Sequence, residues 1–244
     1  HDLSEVIHTA VKDQDPEAII TGENPSEHMI DVIDGILTST LTNHNKAPLF
    51  ATVYQDYICR FGLHMAEHDP DTFFLQCASL FTEGAQIGML RLRPRMNALS
   101  FQNPAHQERL EMLGRLVSYY RHNPTCQLLA YGQLVRPVTF SQPSPMPMSA
   151  DGHFPLLFHG VFRDQAGSLG IFIVNAGRQK IDYAFDLDPA RHGLAAAVAF
   201  DVDQVAPDGT ATEIHRAKKS PLRLHDSLEP LGATMFHFRP KGSQ

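Results

Sequence analysis

The spacing of apolar residues changes character near residue 130. Before it, stretches with apolar positions three or four apart alternate with short apolar runs. After it come short runs parted by Pro, Gly and Asp. The first pattern belongs to helices set between buried strands, the second to antiparallel strands joined by tight turns. With 244 residues, 43% hydrophobic and 19% charged, the chain can bury one large core or two modest ones. The expected fold class is α/β plus all-β: a (β/α) unit over 1–129 and an antiparallel β-sandwich over 130–244.

Within the first unit, Val6, Ile7, Ala10 and Val11 predict a helix over 4–13, stopped by Asp15-Pro16. Residues 18–21 predict a short buried strand. Pro25-Ser26-Glu27 predicts the start of a helix with Ile30, Ile33 and Leu37 on one face, ending near TNHNKAP. Gly35 sits inside that pattern, where a close approach by another helix would account for it. The segment 48–57, PLFATVYQDY, predicts a second strand, because Leu49, Phe50, Ala51 and Val53 run together as in a parallel strand covered on both faces.

Asp69 or Pro70 opens a helix through Phe73, Phe74, Cys77, Leu80 and Phe81, and Gly84 closes it. Residues 86–92 predict a third strand. Leu110, Leu113, Leu116 and Val117 mark a helix over 107–121. A helix followed by three strand-loop-helix units suits parallel strands with right-handed crossovers. A closed eight-unit barrel needs about 250 residues, so the unit is either a small open sheet or the C-terminal part of something longer. Beyond the Pro-rich stretch SQPSPMPMSADGHFP, strands are predicted at 156–162, 169–175, 181–186, 195–201, 211–215, 222–225 and 234–238.

The formal charge of -7 supplies no broad basic field, which argues against nucleic acid and against an anionic membrane surface as partners. No apolar run approaches the roughly 20 residues of a membrane span. The opening HDLSEVIHTAVKDQDP lacks the order of a secretory signal, and its start on His1 without Met leaves the compartment open. Cys59, Cys77 and Cys126 make neither a disulfide framework nor a metal spacing.

Glu23 is the leading candidate for chemistry. At the C-terminal tip of a parallel strand it would face the crevice where barrel and open-sheet enzymes place their sites, and Asn24-Pro25 separate it from the helix it might otherwise favour. Glu27, in the expected first turn, fits the helix-entry role instead. Tyr54 and Asp56, at the end of the expected second strand, would offer a ring and a carboxylate to a sugar. Arg91 and Arg93, at the end of the third, would hold an anion or tune Glu23. HMAEH, from His64 to His68, matches a zinc-protease spacing, but Pro70 and the surrounding loop signals make it a solvated connector. No metal or cofactor is expected. No phosphate loop, dinucleotide fingerprint or nucleophilic Ser motif occurs.

The ordered set ITGENPSEHMIDVIDG, APLFATVYQDYICRFG, FTEGAQIGML, LLAYGQLVRP and GSLGIFIVNAGRQKIDYAFDLD resembles the C-terminal portion of a largely uncharacterised group of barrel proteins related to glycoside hydrolases. The resemblance implies the last three units of a (β/α)8 barrel, strands six to eight, followed by a β-sandwich, with a carbohydrate as substrate. In the similar clan of α-galactosidases and α-glucosidases the acid/base carboxylate ends the sixth strand and the nucleophile the fourth. Glu23 would take the first place; the second has no counterpart here unless Asp56 serves. Such a reading calls for a missing N-terminal barrel half or a partner chain to complete the sheet. The rival is a non-catalytic barrel remnant that binds glycans or a protein. It predicts Glu23 paired with Arg91 or Arg93. A metal-dependent hydrolase built on His64 and His68 is the third reading.

Overall fold

Alternation of apolar residues along the central strands organises the molecule. The computed structural model describes the chain apart from residues 1, 24–26, 38–47, 63–64, 66–68, 89, 91–98, 147, 150–151, 195–198, 219–220 and 242–244. Helix α1, Asp2–Gln14, leads into strand β1, Thr21–Glu23. A single 3₁₀ turn, Glu27–Met29, precedes β2, Gly35–Leu37. Helix α2, Leu49–Tyr54, then leads to β3, Cys59–Gly62; α3, Pro70–Thr82, follows, and β4 is Gln86–Ile87. Together β1-β2-β3-β4 form a parallel four-stranded sheet in sequence order.

The first strand, expected buried over 18–21, is the largely exposed β1 at 21–23, and two further elements differ in type from the sequence expectation. The segment 48–57 is not a strand but α2 and a turn. A six-residue apolar run fits either period, and here Phe50 and Tyr54 meet one helical turn apart, ring centroids 5.0 Å, while Ala51 is buried and Leu49 and Val53 face solvent. The helix expected to start at Pro25 is, where described, one 3₁₀ turn and then a strand. Gly35 accounts for that: a Cβ there would lie 3.2 Å from the Phe61 ring and 3.3 Å from the Thr21 methyl, so it is a strand residue closely flanked by β1 and β3. Asp34, next to it, accepts a hydrogen bond from the Ile20 amide at 2.9 Å and pairs with Lys12 at 3.0 Å, tying α1 to both strands. The Ile20 amide, ahead of Lys12, holds the Asp34 carboxyl below its ordinary pKa.

Helix α4, Gln107–Ser118, passes through a 3₁₀ turn, Tyr119–Arg121, to α5, Thr125–Tyr131. The strands that follow are β5, Gln133–Val135; β6, Met148–Ser149; β7, Gly152–His153; β8, Leu157–Arg163; β9, Leu169–Asn175; and β10, Ile181–Leu187. The last four are β11, Phe200–Val205; β12, Ala211–Lys218; β13, Leu222–Leu228; and β14, Ala233–Pro240. Six of them pair antiparallel in the order β12-β11-β14-β9-β8-β5, and β10 pairs with β13 as a separate ribbon.

Both faces of the six-stranded sheet are covered, which explains why β9 is buried at all seven positions. Leu169, Ile171 and Ile173 meet the β10–β13 ribbon through Tyr183, Phe185, Leu187 and Leu224. Phe172 and Val174 on the other face share a core with Phe73, Phe81, Leu116 and Leu128 from the helices. The expected division at 129/130 falls inside α5, just ahead of β5, and this apolar core runs across it.

Helix α3 lies between the parallel sheet and the six-stranded one, so it is buried from Thr72 to Thr82. Its C-terminus approaches β8 so closely that a Cβ on Gly160 would sit 1.9 Å from the Thr82 carbonyl oxygen. Gly160→Ala should lower unfolding stability by about 2–3 kcal/mol, since the contact is backbone and cannot swing aside. Gly114→Ala, on the exposed side of α4 with nothing within 4 Å of the new methyl, should raise it by about 0.5–1 kcal/mol. Urea denaturation of the two variants measures both signs.

In β8, His159 Nε2 lies 2.9 Å from the Val138 carbonyl and its ring stands edge-on to Phe140, centroids 4.6 Å apart. Burial lowers its pKa to about 4, and burial moves His192 and His237 the same way. The unfolded chain protonates near pH 6.5, before the folded one. Stability from these neutral rings is thus complete above about pH 6.5 and falls as pH drops from there toward 4. The urea midpoint should decline across that window. His159→Phe should make the decline shallower by about 3 kcal/mol, its share of the linkage.

Candidate functional site

Register and alternation determine what Glu23 shares a face with. Glu23 pairs with Leu37, Leu37 with Phe61, and Phe61 with Gln86, so these four occupy one row at the C-terminal rim of the parallel sheet. Ile36, on the opposite face, packs with Val32, Ile33 and Ile58 and with Met29, Phe50 and Tyr54 from the connections. Side chains alternate between faces, so Glu23 points away from that layer. On its face Thr21, Glu23 and Gln86 are exposed, and Leu37 and Phe61 half-buried.

The helix-side face is fixed by a buried polar group. Arg60 donates from Nε to Gln55 Oε1 at 3.0 Å, and its guanidinium reaches the Glu83 carbonyl and carboxylate. Gln55 Nε2 donates to the Gly84 and Leu129 carbonyls, both at 2.9 Å. This joins the end of α2, strand β3, the end of α3 and α5. Burial pulls the Arg60 pKa down and Glu83 opposes it; Arg remains charged, so the group needs every one of those acceptors.

The other sequence candidates divide. Tyr54 ends α2 and Asp56 lies in the turn before β3. Because β3 is parallel to β1, residues preceding it stand at the N-terminal edge of the sheet, opposite the rim that carries Glu23. The expected association of Tyr54 and Asp56 with Glu23 is thus corrected: it rested on reading 48–57 as a strand. Arg91, Arg93, His64 and His68 lie outside the described residues. Glu27 opens the 3₁₀ turn and, with Asp31, His28, Ile30, Tyr54 and Tyr57, lines an open groove of about 410 Å³. Tyr54 therefore joins Glu27, not Glu23. Asp31 went unnoticed in the sequence; its four-residue spacing from Glu27 was the available signal.

Chemically, among the described residues the rim offers one carboxylate, Glu23, at the end of β1. The neighbouring described strands end in Leu37, Gly62 and Ile87. Hydrolysis of a glycoside by the usual routes needs two carboxyls about 5–9.5 Å apart, so a second would have to come from elsewhere. Among the described residues no group of three or more His, Cys, Asp or Glu could hold a metal ion, and no helix is long and apolar enough to cross a membrane.

No protein-family model and no curated protein matches the sequence. Solved structures do. The noncanonic maltogenic α-amylase AmyB from Thermotoga neapolitana aligns with a TM-score of 0.52 at 12% identity, over 95% of this chain and 57% of its own. AmyP, solved in complex with maltose, aligns with a TM-score of 0.52 at 10% identity, over 100% of this chain and 63% of its own. A glycoside hydrolase family 30 endoxylanase from Clostridium papyrosolvens aligns at 0.44 and 12%, over 88% and 51%. The chain spans less than two thirds of the length of each. At these identities the likeness concerns fold alone, and the fold of this chain is glycoside hydrolase-like.

Proposed function

We propose that the chain is the C-terminal part of a glycoside hydrolase-like (β/α)8 barrel protein acting on a carbohydrate. In this reading 1–129 contributes barrel units, 130–244 is an accessory β-sandwich, and Glu23 is the general acid/base. The observation that carries it is the position of Glu23: the C-terminal tip of a parallel strand, on the face turned away from the connecting helices.

On that face Thr21, Glu23 and Gln86 are exposed, whereas parallel sheets ordinarily bury both faces. Further parallel strands, from a missing N-terminal barrel half or from a partner chain, would cover it. Covering would also take Glu23 out of water, as an acid that holds its proton near neutrality requires. The same strands would bring the second carboxyl, because Asp56 stands at the wrong end. Arg91 and Arg93 come after β4 in the sequence and keep their proposed part in binding substrate and tuning Glu23.

Glu23→Gln in the full-length protein should lower kcat on an aryl glycoside from a panel of sugars about 100-fold or more with little change in KM. Turnover equal to that of the unaltered protein removes Glu23 from the mechanism. A second reading, a non-catalytic barrel remnant that binds glycans or a protein, is favoured by one observation: no second carboxylate ends a described strand on that rim. Under that reading no aryl glycoside is turned over by either protein.

A further inference from the structure

The antiparallel half holds a cavity of about 390 Å³ that neither Glu23 nor the Glu27 groove involves. One wall is the segment leaving β5, Arg136 to Ser141, which is held to β10 by the Ser141 amide donating to the Ala184 carbonyl at 2.7 Å and by the Phe140–Phe185 bridge. The other wall is Asp186 of β10, then Asp188, Arg191 and His192, with Pro221 just before β13. The turn carrying Arg191 and His192 is held from behind, where the Arg163 guanidinium donates to the His192 and Gly193 carbonyls at 3.3 Å and to Gln133 Oε1 at 2.6 Å.

Arg136, Arg191, Asp186 and Asp188 are all exposed, two of each sign. None of the four forms an ion pair with another of them; the Asp188 carboxylate accepts from the Ala190 amide at 3.1 Å. Opposite charges around one cavity that do not pair with each other leave donors and acceptors free for a ligand. His192 belongs to the same wall, is itself buried, and its Nδ1 has no hydrogen-bond partner. Between the charges lie Pro137, Phe140 and Pro221.

We propose that this cavity binds a neutral, hydroxyl-rich ligand, one or two sugar rings, at a site separate from the Glu23 rim. Carboxylates accept from sugar hydroxyls, guanidinium groups donate to their oxygens, and the ring and proline surfaces take the C–H face of a pyranose. The formal charge of the four ionic groups sums to zero, which disfavours an anion or a cation as occupant. The volume is in the range of small-molecule sites.

Isothermal titration of the purified protein with maltotriose and with xylotriose, and with citrate and phosphate as the anionic arm, tests this. Saturable binding of at least one trisaccharide is expected, weakened tenfold or more by Asp186→Asn and by Arg136→Gln, and unchanged by Asp182→Asn, on the same strand outside the cavity. Circular dichroism confirms that each variant is folded. Three results overturn the proposal: no saturable binding of either trisaccharide, binding of the anions only, or trisaccharide binding that neither Asp186→Asn nor Arg136→Gln moves. Binding lost with Glu23→Gln instead assigns the sugar to the barrel rim and overturns it too. Conversely, Glu23→Gln turnover tests the proposed hydrolase without reference to this cavity.

Discussion

Four aromatic rings hold the two halves of the chain to one another. Phe81 from α3 and Tyr119 from the turn after α4 meet Phe172 of β9 at 5.5 and 5.9 Å, and Phe162 of β8 meets Phe172 at 5.6 Å. All four are fully buried. Edge-to-face pairs of this kind add about 0.5–1.5 kcal/mol each beyond their area. Removing any one ring would open a void between helices and sheet. The Tyr119 hydroxyl also donates to the Val205 carbonyl at 3.2 Å, so the cluster carries its own polar anchor.

From that cluster the rest follows by contact. Because α3 is held against the six-stranded sheet, its C-terminus presents Glu83 and Gly84 to Arg60 and Gln55, and the parallel sheet is oriented by that polar group. The helix-side face of the parallel sheet is thereby occupied, and the other face leaves Thr21, Glu23 and Gln86 to solvent. Function, in the reading advanced above, depends on an arrangement fixed by residues far from any chemistry.

Much of the architecture was legible where a period was long or a stop was sharp. The helix through Phe73 and Phe81 has an Asp69 cap, Pro70 at its first position and Gly84 at a φ of 77° beyond its end, all local signals. Strand β9 was read without error because the run from Leu169 to Val174 carries no polar side chain and stands between turns. The failures fell on segments of three to six apolar residues. PLFATV satisfies either a strand or a short helix, and which it becomes depends on whether Phe50 and Tyr54 have a surface to lie on. Gly35 was read as a helix defect, although its meaning lies in Thr21 and Phe61, fourteen and twenty-six residues away.

The linear order of residues was enough, alone, to establish a helical region followed by antiparallel strands, the acidic tip of β1 and the lack of a broad positive field, since each is a matter of local spacing or of summed charge. Only folding in three dimensions decided that the apolar core crosses residue 130, that Tyr54 lies beside Glu27 at the far edge from Glu23, and that Arg136, Asp186 and His192 surround one cavity. Contacts between residues tens of positions apart depend on which surfaces are buried together. No periodicity within a short window carries that information.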